Sequence, residues 1–210
     1  MARILAVNVV HTLLPDRLGD SDLTAIDKRP VPGRVRVHRL GLEGDRQYDT
    51  RHHGGPDKAV YAYAREDARW WEQELGRELA PGAFGENLTT EGIDVTGAVI
   101  GERWQIGNVL LQVVWPRIPC RTFAGFWDVR DLVKRFTAHG APGAYCRVLK
   151  EGTVGAGDAI EVVERPGHGV TLGEVFRARS GERALVPRML EAPALPAEAQ
   201  DWARKVLAGG

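Results

Sequence analysis

Short runs rich in β-branched residues recur along the first two thirds of the chain, separated by turns that contain glycine. Such runs, bounded by turn residues, are typical of strands. They predict strands at residues 3–10, 35–40, 109–115, 145–149 and 159–163. Many short strands and few helices indicate a mainly β fold with some α structure, in which the sheet is closed like a barrel or strongly curved.

Two stretches place apolar residues three or four positions apart, which is the spacing of one helical face. The first stretch covers residues 64–79, and Pro81 ends it. The second covers residues 129–136, with Asp128 as its N-cap and Gly140 as its terminator. The sequence therefore predicts two helices inserted between the strands.

The pattern becomes helical towards the end of the chain. Thr171–Glu174 has the form of a capping box, a short helix is expected around Pro187, and a third helix is expected to begin at Pro196. We therefore expect a main domain over residues 1–166 and a small three-helix segment over residues 167–210. Because so short a segment buries little surface alone, it should dock on the β domain or on a second subunit of a homodimer.

The charge and the cysteine content exclude several classes of protein. Lys plus Arg and Asp plus Glu each number 28, which argues against bulk binding to nucleic acid or to an anionic membrane. The longest apolar run is too short for a transmembrane helix, and the amino end reads as a strand rather than a signal peptide. Two widely spaced cysteines, Cys120 and Cys146, suggest a reducing cytoplasmic location. Motifs for dinucleotides, nucleoside triphosphates, serine hydrolases and zincins are absent from the sequence.

Two glycine-containing loops carry candidate ligand-binding groups. In the loop from His53 to Lys58, the Gly54-Gly55 pair could offer backbone amides to an anion, with the two end residues adding hydrogen bonds or positive charge. In the loop 82–88, Asn87 could orient a ligand. The alternative for both loops is ordinary turn geometry, with a locally bonded asparagine in the second.

A proline-bracketed segment follows the strongest predicted strand. It ends in Cys120, which Arg117 and Arg121 flank. Nearby guanidinium charge favours the thiolate, which is both a nucleophile and a soft metal ligand. The alternative is a buried, inert cysteine. Cys146, within a predicted strand, is interpreted as a core residue, and Arg147 beside it either pairs with an acid or reaches into the site.

Taken together, these stretches resemble the MOSC domain, the molybdenum-cofactor sulfurase C-terminal domain, in its small stand-alone bacterial form. The matching marks occur in the family's order over about residues 3–164. The tail from Thr171 is similar to the three-helix segment that follows the domain in the YiiM-like branch. The marks are Gly41–Asp45, His53–Lys58, Gly82–Leu88, Ile100-Gly101, Pro116–Cys120, Gly143–Tyr145 and Gly155–Asp158.

The resemblance implies a β-barrel-like fold that binds a molybdopterin-type molybdenum cofactor. It implies that Cys120 is the catalytic residue and the thiolate ligand to molybdenum. It also implies donors to the terminal phosphate of the cofactor and further cofactor contacts. Those residues are Arg117, His53, Gly54, Gly55 and Lys58 for the phosphate, with Asn87 and Arg147 as further candidates.

Characterised relatives in the family that this sequence resembles reduce N-hydroxylated compounds, including hydroxylaminopurines and amidoximes, with electrons from separate redox proteins. The resemblance thus implies a cytoplasmic molybdenum-dependent oxidoreductase with a small-molecule substrate and an external electron donor, because this sequence carries no motif for flavin, haem or an iron–sulfur cluster. Two alternatives remain open at this point: a persulfide-bearing sulfur carrier for metal-cofactor assembly, and a cofactor-binding or storage protein without turnover.

Overall fold

The computed structural model describes residues 1–48 and 54–209. Its strands are β1 (Arg3–Val10), β2 (Leu14–Pro15), β3 (Leu23–Thr24), β4 (Lys28–Pro30), β5 (Arg34–His38), β6 (Gly41–Leu42), β7 (Val60–Ala64), β8 (Leu88–Glu91), β9 (Arg103–Ile106), β10 (Val109–Pro116), β11 (Ala144–Lys150), β12 (Gly152–Gly155) and β13 (Glu161–Glu164). Its helices are α1 (Arg65–Leu75), α2 (Arg121–Trp127), α3 (Leu132–His139), α4 (Leu172–Arg179), α5 (Val186–Met189) and α6 (Ala197–Ala208).

One large sheet organises the molecule, in the order β13-β9-β10-β11-β7-β8-β1-β4. Neighbouring strands in it are antiparallel except for the parallel pair β7 and β8. The mainly β class with added α structure is thus confirmed, but the described strands do not close into a barrel. The sheet curls so far that Ile4 donates a backbone hydrogen bond to Asp158, shortly before the opposite edge strand. Arg3 and Ala159 form a single isolated β-bridge at this point, whereas a closed barrel would need a continuous ladder of hydrogen bonds.

Most strand predictions are confirmed by these bounds. The predicted strands at residues 3–10, 109–115 and 145–149 correspond to β1, β10 and β11. The predicted strand 35–40 ends earlier, at His38, because a turn that leads to β6 follows it. The last predicted strand starts later, at Glu161.

Strand β7 explains why the protein has two buried clusters. All five of its residues are buried, and successive side chains of a strand point to opposite faces of the sheet. Val60 and Ala62 belong to a large aliphatic cluster, whereas Tyr61 and Tyr63 belong to an aromatic one. The sheet is therefore covered on both faces, and the tyrosines face the side on which the candidate site lies.

The first predicted helix is confirmed but was predicted too long. Helix α1 ends at Leu75 because Gly76 adopts a left-handed conformation (φ 62°) and caps it. Leu79 is still buried, since a turn brings it back towards the core and its amide donates a hydrogen bond to Glu72. Its helix-like spacing from Leu75 therefore arises from the turn.

The predicted start of the second helix is wrong. Asp128 does not open a helix: it lies in the left-handed region (φ 51°) and ends α2, which the sequence pattern did not predict. Helix α3 begins only after Asp131, which is also left-handed (φ 56°). Aspartate tolerates this conformation better than most residues, so two carboxylates bracket the break between the helices. Gly140 ends α3 as predicted.

The tail forms the three predicted helices. Thr171 and Glu174 make a complete capping box at the start of α4, and Pro196 precedes α6. Val175 and Ala203 on these helices belong to the same aliphatic cluster as Trp104 on the sheet. The tail therefore docks on the β domain of its own chain, while the boundary at residues 166 and 167 stays a prediction.

Asp67, in the first turn of α1, makes the stability of the protein depend on pH. Burial, together with the carboxylates of Asp94 and Glu66, raises the pKa of Asp67 from 3.8 to about 6. The folded protein therefore binds the Asp67 proton more tightly than the unfolded chain does. The stability that this protonation contributes is complete below about pH 4 and is lost as the pH rises through 6. We expect Asp67→Asn to raise the free energy of unfolding at pH 8 by about 1–3 kcal/mol.

Urea unfolding of the wild type and Asp67→Asn at pH 4 and pH 8 tests this expectation. Subtracting the free energy of unfolding of the wild type from that of the variant at each pH removes the effect of the other titrating groups. The difference should be close to zero at pH 4 and favour the variant at pH 8. A difference of the same size at both pH values would contradict the assignment.

Candidate functional site

A cavity of about 580 Å³ opens on the side of the sheet that carries the tyrosines. Its walls come from segments that are distant in sequence: the hairpin β2–β3 with the residues after it, the segment 45–48, the segment between β10 and α2, and the tail. Tyr61 from β7 and Tyr145 from β11 line it as well. Burial raises the pKa of both tyrosines, so both remain neutral phenols at pH 7.

Cys120 lines this cavity as a free, half-buried thiol. Strand β10 ends at Pro116, and the chain then leaves the sheet until α2 begins at Arg121. Cys120 is the last extended residue of this segment (φ −130°, ψ 173°). The prediction that the proline-bracketed segment leaves the sheet is confirmed, and the thiol is not sealed within the core. The other cysteine, Cys146, is fully buried, as predicted.

Arg117 is a buried cation in the same wall as the thiol. Its Nη1 atom donates a hydrogen bond of 2.8 Å to the Phe84 carbonyl, and its guanidinium lies over the rings of Tyr61 and Phe123 at 5.1 and 4.9 Å from their centroids. Its Nε atom is buried and has no hydrogen-bond partner among the described residues. Leaving a buried charged donor unsatisfied is costly, so a ligand group that reached this atom would be bound favourably.

Lys28 and Asp45 form a buried ion pair at the cavity wall. The Asp45 carboxylate also accepts hydrogen bonds from the Val10 amide (2.9 Å) and from Asn87 Nδ2 (2.7 Å). Burial lowers the pKa of Lys28, and the attraction of Asp45 opposes this only in part. The pair joins β1, β4 and the segment 45–48, so it fixes one side of the cavity.

Asn87 is engaged by the protein itself. Besides its bond to Asp45, its Oδ1 atom accepts a hydrogen bond of 3.1 Å from the Tyr61 amide. Asn87 lines the cavity, and its hydrogen bonds run to Tyr61 and Asp45, which are distant in sequence, rather than to neighbours within its own turn. We interpret its contribution as holding β7 and the segment 45–48 together, and direct cofactor contact by Asn87 stays a prediction.

The turn around Glu86 positions Arg117. The buried Glu86 carboxylate accepts hydrogen bonds from the amides of Gly82 (2.6 Å) and Phe84 (3.0 Å) and from the Thr89 hydroxyl (2.7 Å). A Cβ at Gly82 would come within 2.2 Å of a backbone oxygen, so this turn requires glycine. The turn thereby presents the Phe84 carbonyl to Arg117.

The loop predicted to bind the cofactor phosphate contributes one described residue to the cavity. Lys58 lines it, 3.9 Å from Glu198. Gly54 and Gly55 are not among the described residues that line it; Gly55 (φ 90°) instead starts a short 3₁₀ turn. His53 lies outside the described residues. The assignments of these three residues stay predictions.

Arg147 does not line the cavity either. Its guanidinium pairs with Asp57 and reaches Gln112 at 3.4 Å. Of the two interpretations of this arginine, the structure therefore favours pairing with an acid. The pair ties the loop before β7 to β11, and a direct contact of Arg147 with cofactor has no support from this geometry.

Sequence reasoning missed several polar residues of the cavity. Lys28 comes from a short strand without a recognisable motif, and Arg179 and Glu198 come from the tail. A buried lysine in a short strand and an arginine at the end of a helix gave no signal before the fold placed them on the wall of the cavity that Cys120 also lines. Over residues 1–48 and 54–209, no cluster of three or more His, Cys, Asp or Glu side chains could hold a metal ion.

Comparison with known proteins shows the family to which the chain belongs. The MOSC domain model matches residues 49–161, which include Cys120 and Arg117. The chain belongs to the MOSC domain family. As a MOSC protein it is 40% identical to YflK of Bacillus subtilis (strain 168) over 169 residues, which cover 80% of this chain and 76% of YflK.

Other relatives of this MOSC chain are more distant or much longer. It is 36% identical to YiiM of Escherichia coli (strain K12) over 146 residues, which cover 68% of this chain and 65% of YiiM. It is 34% identical over 153 residues, or 71% of its length, to a protein of Gibberella moniliformis named "Reductase", and that match spans 27% of the fungal protein.

The fold has a solved counterpart over nearly its whole length. The crystal structure of YiiM from Geobacillus stearothermophilus superposes with a TM-score of 0.80 and 29% identity, and the match covers 98% of each chain. The tail helices are therefore included in the similarity. Among the described residues, no helix has both the length and the apolar character needed to span a membrane.

Proposed function

We propose that this MOSC protein holds a molybdopterin-type molybdenum cofactor in its cavity and reduces N-hydroxylated compounds. The observation that carries the proposal is the placement of a free thiol, Cys120, and a buried cation with an unsatisfied donor, Arg117, on the wall of one large cavity. A thiolate is a soft metal ligand, and a guanidinium suits a phosphate.

The residues present fit such a cofactor. Cys120 would bind the metal, and the unsatisfied Nε of Arg117 together with Lys58 would bind the phosphate. A volume of about 580 Å³ lies within the range of cofactor sites in proteins. His53, Gly54 and Gly55 remain proposed donors to the same phosphate.

The net reaction converts an N-hydroxyl group, two electrons and two protons into an N–H group and water. When bound, the cofactor supplies a two-electron redox centre that can accept an oxygen atom. An external redox protein supplies the electrons. The chain's own part is to bind and orient: Cys120 anchors the metal, Tyr61 and Tyr145 form a neutral wall, and the buried Lys28–Asp45 pair keeps the segment 45–48 in place.

Two further observations favour this function over the alternatives. A sulfur carrier needs an accessible thiol, but it has no use for a cavity of this size lined with several cations. A relative that matches 71% of this chain also bears the name "Reductase". If Cys120 instead carried sulfur, mass spectrometry would find a shift of about 32 Da on its peptide.

The test is turnover of a defined substrate. The protein is produced in a host that makes molybdenum cofactor, given a chemical electron donor, and supplied with 6-hydroxylaminopurine. We expect formation of adenine that depends on both protein and reductant. Cofactor-loaded protein that forms no adenine from this substrate and no amidine from benzamidoxime would contradict the proposal.

A further inference from the structure

Arg179, the last residue of α4, brings a cation from the tail into the cavity. Its guanidinium carbon lies 4.0 Å from the ring centroid of Trp202 on α6 and 5.7 Å from that of Trp115 on β10. Cation–π contacts of this kind hold an arginine in place without using its hydrogen-bond donors. Two helices of the tail and one strand of the sheet thus combine to fix this side chain.

The donors of Arg179 have no partners within the described part of the chain. Its Nε atom is buried without a hydrogen-bond partner. Burial lowers the pKa of Arg179, and the charge of Glu198 opposes this shift only in part. Arginine is not deprotonated in proteins even when its pKa is lowered. Arg179 therefore keeps its positive charge and its N–H donors.

Other arginines of the tail are paired. The pairs are Arg177 with Glu182 at 3.0 Å, Arg188 with Glu174 at 3.1 Å, and Arg204 with Asp201 at 2.8 Å. Arg179 differs from these surface pairs because it faces the cavity and its guanidinium is stacked on aromatic rings.

The two cavity arginines lie at different depths. Arg117 is 6% exposed and lies three residues from Cys120, against Tyr61 and Phe123. Arg179 is less buried, and the charge that acts on it most belongs to Glu198, whose side chain is 79% exposed. Arg179 is therefore the more exposed of the two cavity arginines, and Arg117 is the more deeply buried one.

We propose that Arg179 binds a phosphate monoester carried by the substrate, so that the preferred substrate is an N-hydroxylated purine nucleotide rather than the free base. This inference rests on the proposed function. A dianion suits the position because Arg46 also lines the cavity and adds positive charge, in addition to Arg117 and Lys58, which are assigned to the cofactor. The cavity wall also carries the carboxylates of Asp16, Asp20, Asp45 and Glu198. Asp45 is paired with Lys28, and Glu198 lies 3.9 Å from Lys58.

Kinetics of the cofactor-loaded protein test the proposal first. We expect the wild type to prefer 6-hydroxylaminopurine ribonucleoside 5′-monophosphate to the free base by about tenfold in kcat/KM, since a charge-assisted hydrogen bond contributes about that much. Arg179→Met keeps an unbranched side chain against Trp202 but removes the charge, and it should abolish the preference, chiefly through KM. Arg179→Lys should restore part of it.

Binding without turnover gives a second readout. Adenosine 5′-monophosphate and adenosine are titrated into the full-length protein while tryptophan fluorescence is followed, because Trp202 and Trp115 contact Arg179. We expect the wild type to bind the monophosphate about tenfold more tightly, and Arg179→Met to bind both ligands equally.

The outcomes separate this inference from the proposed function. Turnover without a preference for the nucleotide, or a preference that survives in Arg179→Met, would overturn the inference alone. Loss of molybdenum and pterin from Arg179→Met would also overturn it, because the anion would then be the cofactor's phosphate. An Arg179-dependent preference for the monophosphate in a protein that reduces no N-hydroxylated compound would support the anion site and contradict the reductase.

Discussion

Cys120→Ser should lower kcat/KM for 6-hydroxylaminopurine by about 10³-fold or more, which corresponds to at least about 4 kcal/mol of lost transition-state stabilisation. The reason is that a serine hydroxyl is a hard, neutral group and replaces the soft thiolate that we assign to the metal. The thiol is half-buried at a cavity wall. The free energy of unfolding should therefore change by less than about 1 kcal/mol. The measurement is steady-state reduction, paired with urea unfolding of the same sample.

Cys146→Ser is the matched control, because it makes the same chemical change elsewhere in the fold. Cys146 is fully buried in β11, and burial raises the pKa of its thiol far above the ordinary range. A hydroxyl there must be buried, so we expect a loss of about 1–3 kcal/mol of stability but undiminished turnover per folded molecule. Equal activities of the two serine variants would contradict the role given to Cys120.

Asp45→Ala should destabilise the protein by about 3–5 kcal/mol, because it leaves Lys28 as a buried charge without its counter-ion. The side chains of Lys28 and Asp45 are only 9% and 5% exposed. The substitution also removes the acceptor of the Val10 amide and of Asn87. Denaturant unfolding monitored by circular dichroism measures the loss.

Glu74→Ala provides the comparison for this effect. Glu74 also pairs with an arginine, Arg135, but its side chain is 44% exposed and that of Arg135 is 32% exposed. Exposed pairs contribute little, so this variant should lose less than about 1 kcal/mol. Similar losses in Asp45→Ala and Glu74→Ala would show that the buried pair does not organise this wall of the cavity.

Strands that contain runs of β-branched residues could be predicted from the sequence. Helix boundaries that depend on the backbone conformation of single residues could not. Strands β1, β10 and β11 follow from their β-branched runs. Helix α2 was missed because it spans only Arg121–Trp127, contains Gly125 and buries just two residues, Phe123 and Trp127. Asp128 then imitates an N-cap while it adopts a left-handed conformation, and α3 begins only after Asp131.

Some residues of the candidate site could likewise be predicted from the sequence, and others could not. Cys120 and Arg117 could be predicted because they lie together in one segment whose composition favours a reactive thiol. Lys28 and Arg179 could not, because only the curled sheet and the docked tail bring them to the cavity. Asn87 and Arg147 have side chains suited to ligand binding, but Asn87 bonds to Tyr61 and Asp45, and Arg147 pairs with Asp57. A sequence shows which groups are polar, but not which of them the fold leaves unsatisfied.

Cofactor content tests the central claim, that the Cys120 cavity holds the metal, more directly than any rate. Wild type, Cys120→Ser and Cys146→Ser are purified from a host that makes molybdenum cofactor, and molybdenum and pterin are measured per folded chain. We predict similar occupancy in the wild type and Cys146→Ser, and loss of molybdenum from Cys120→Ser. Undiminished molybdenum in Cys120→Ser would contradict the account.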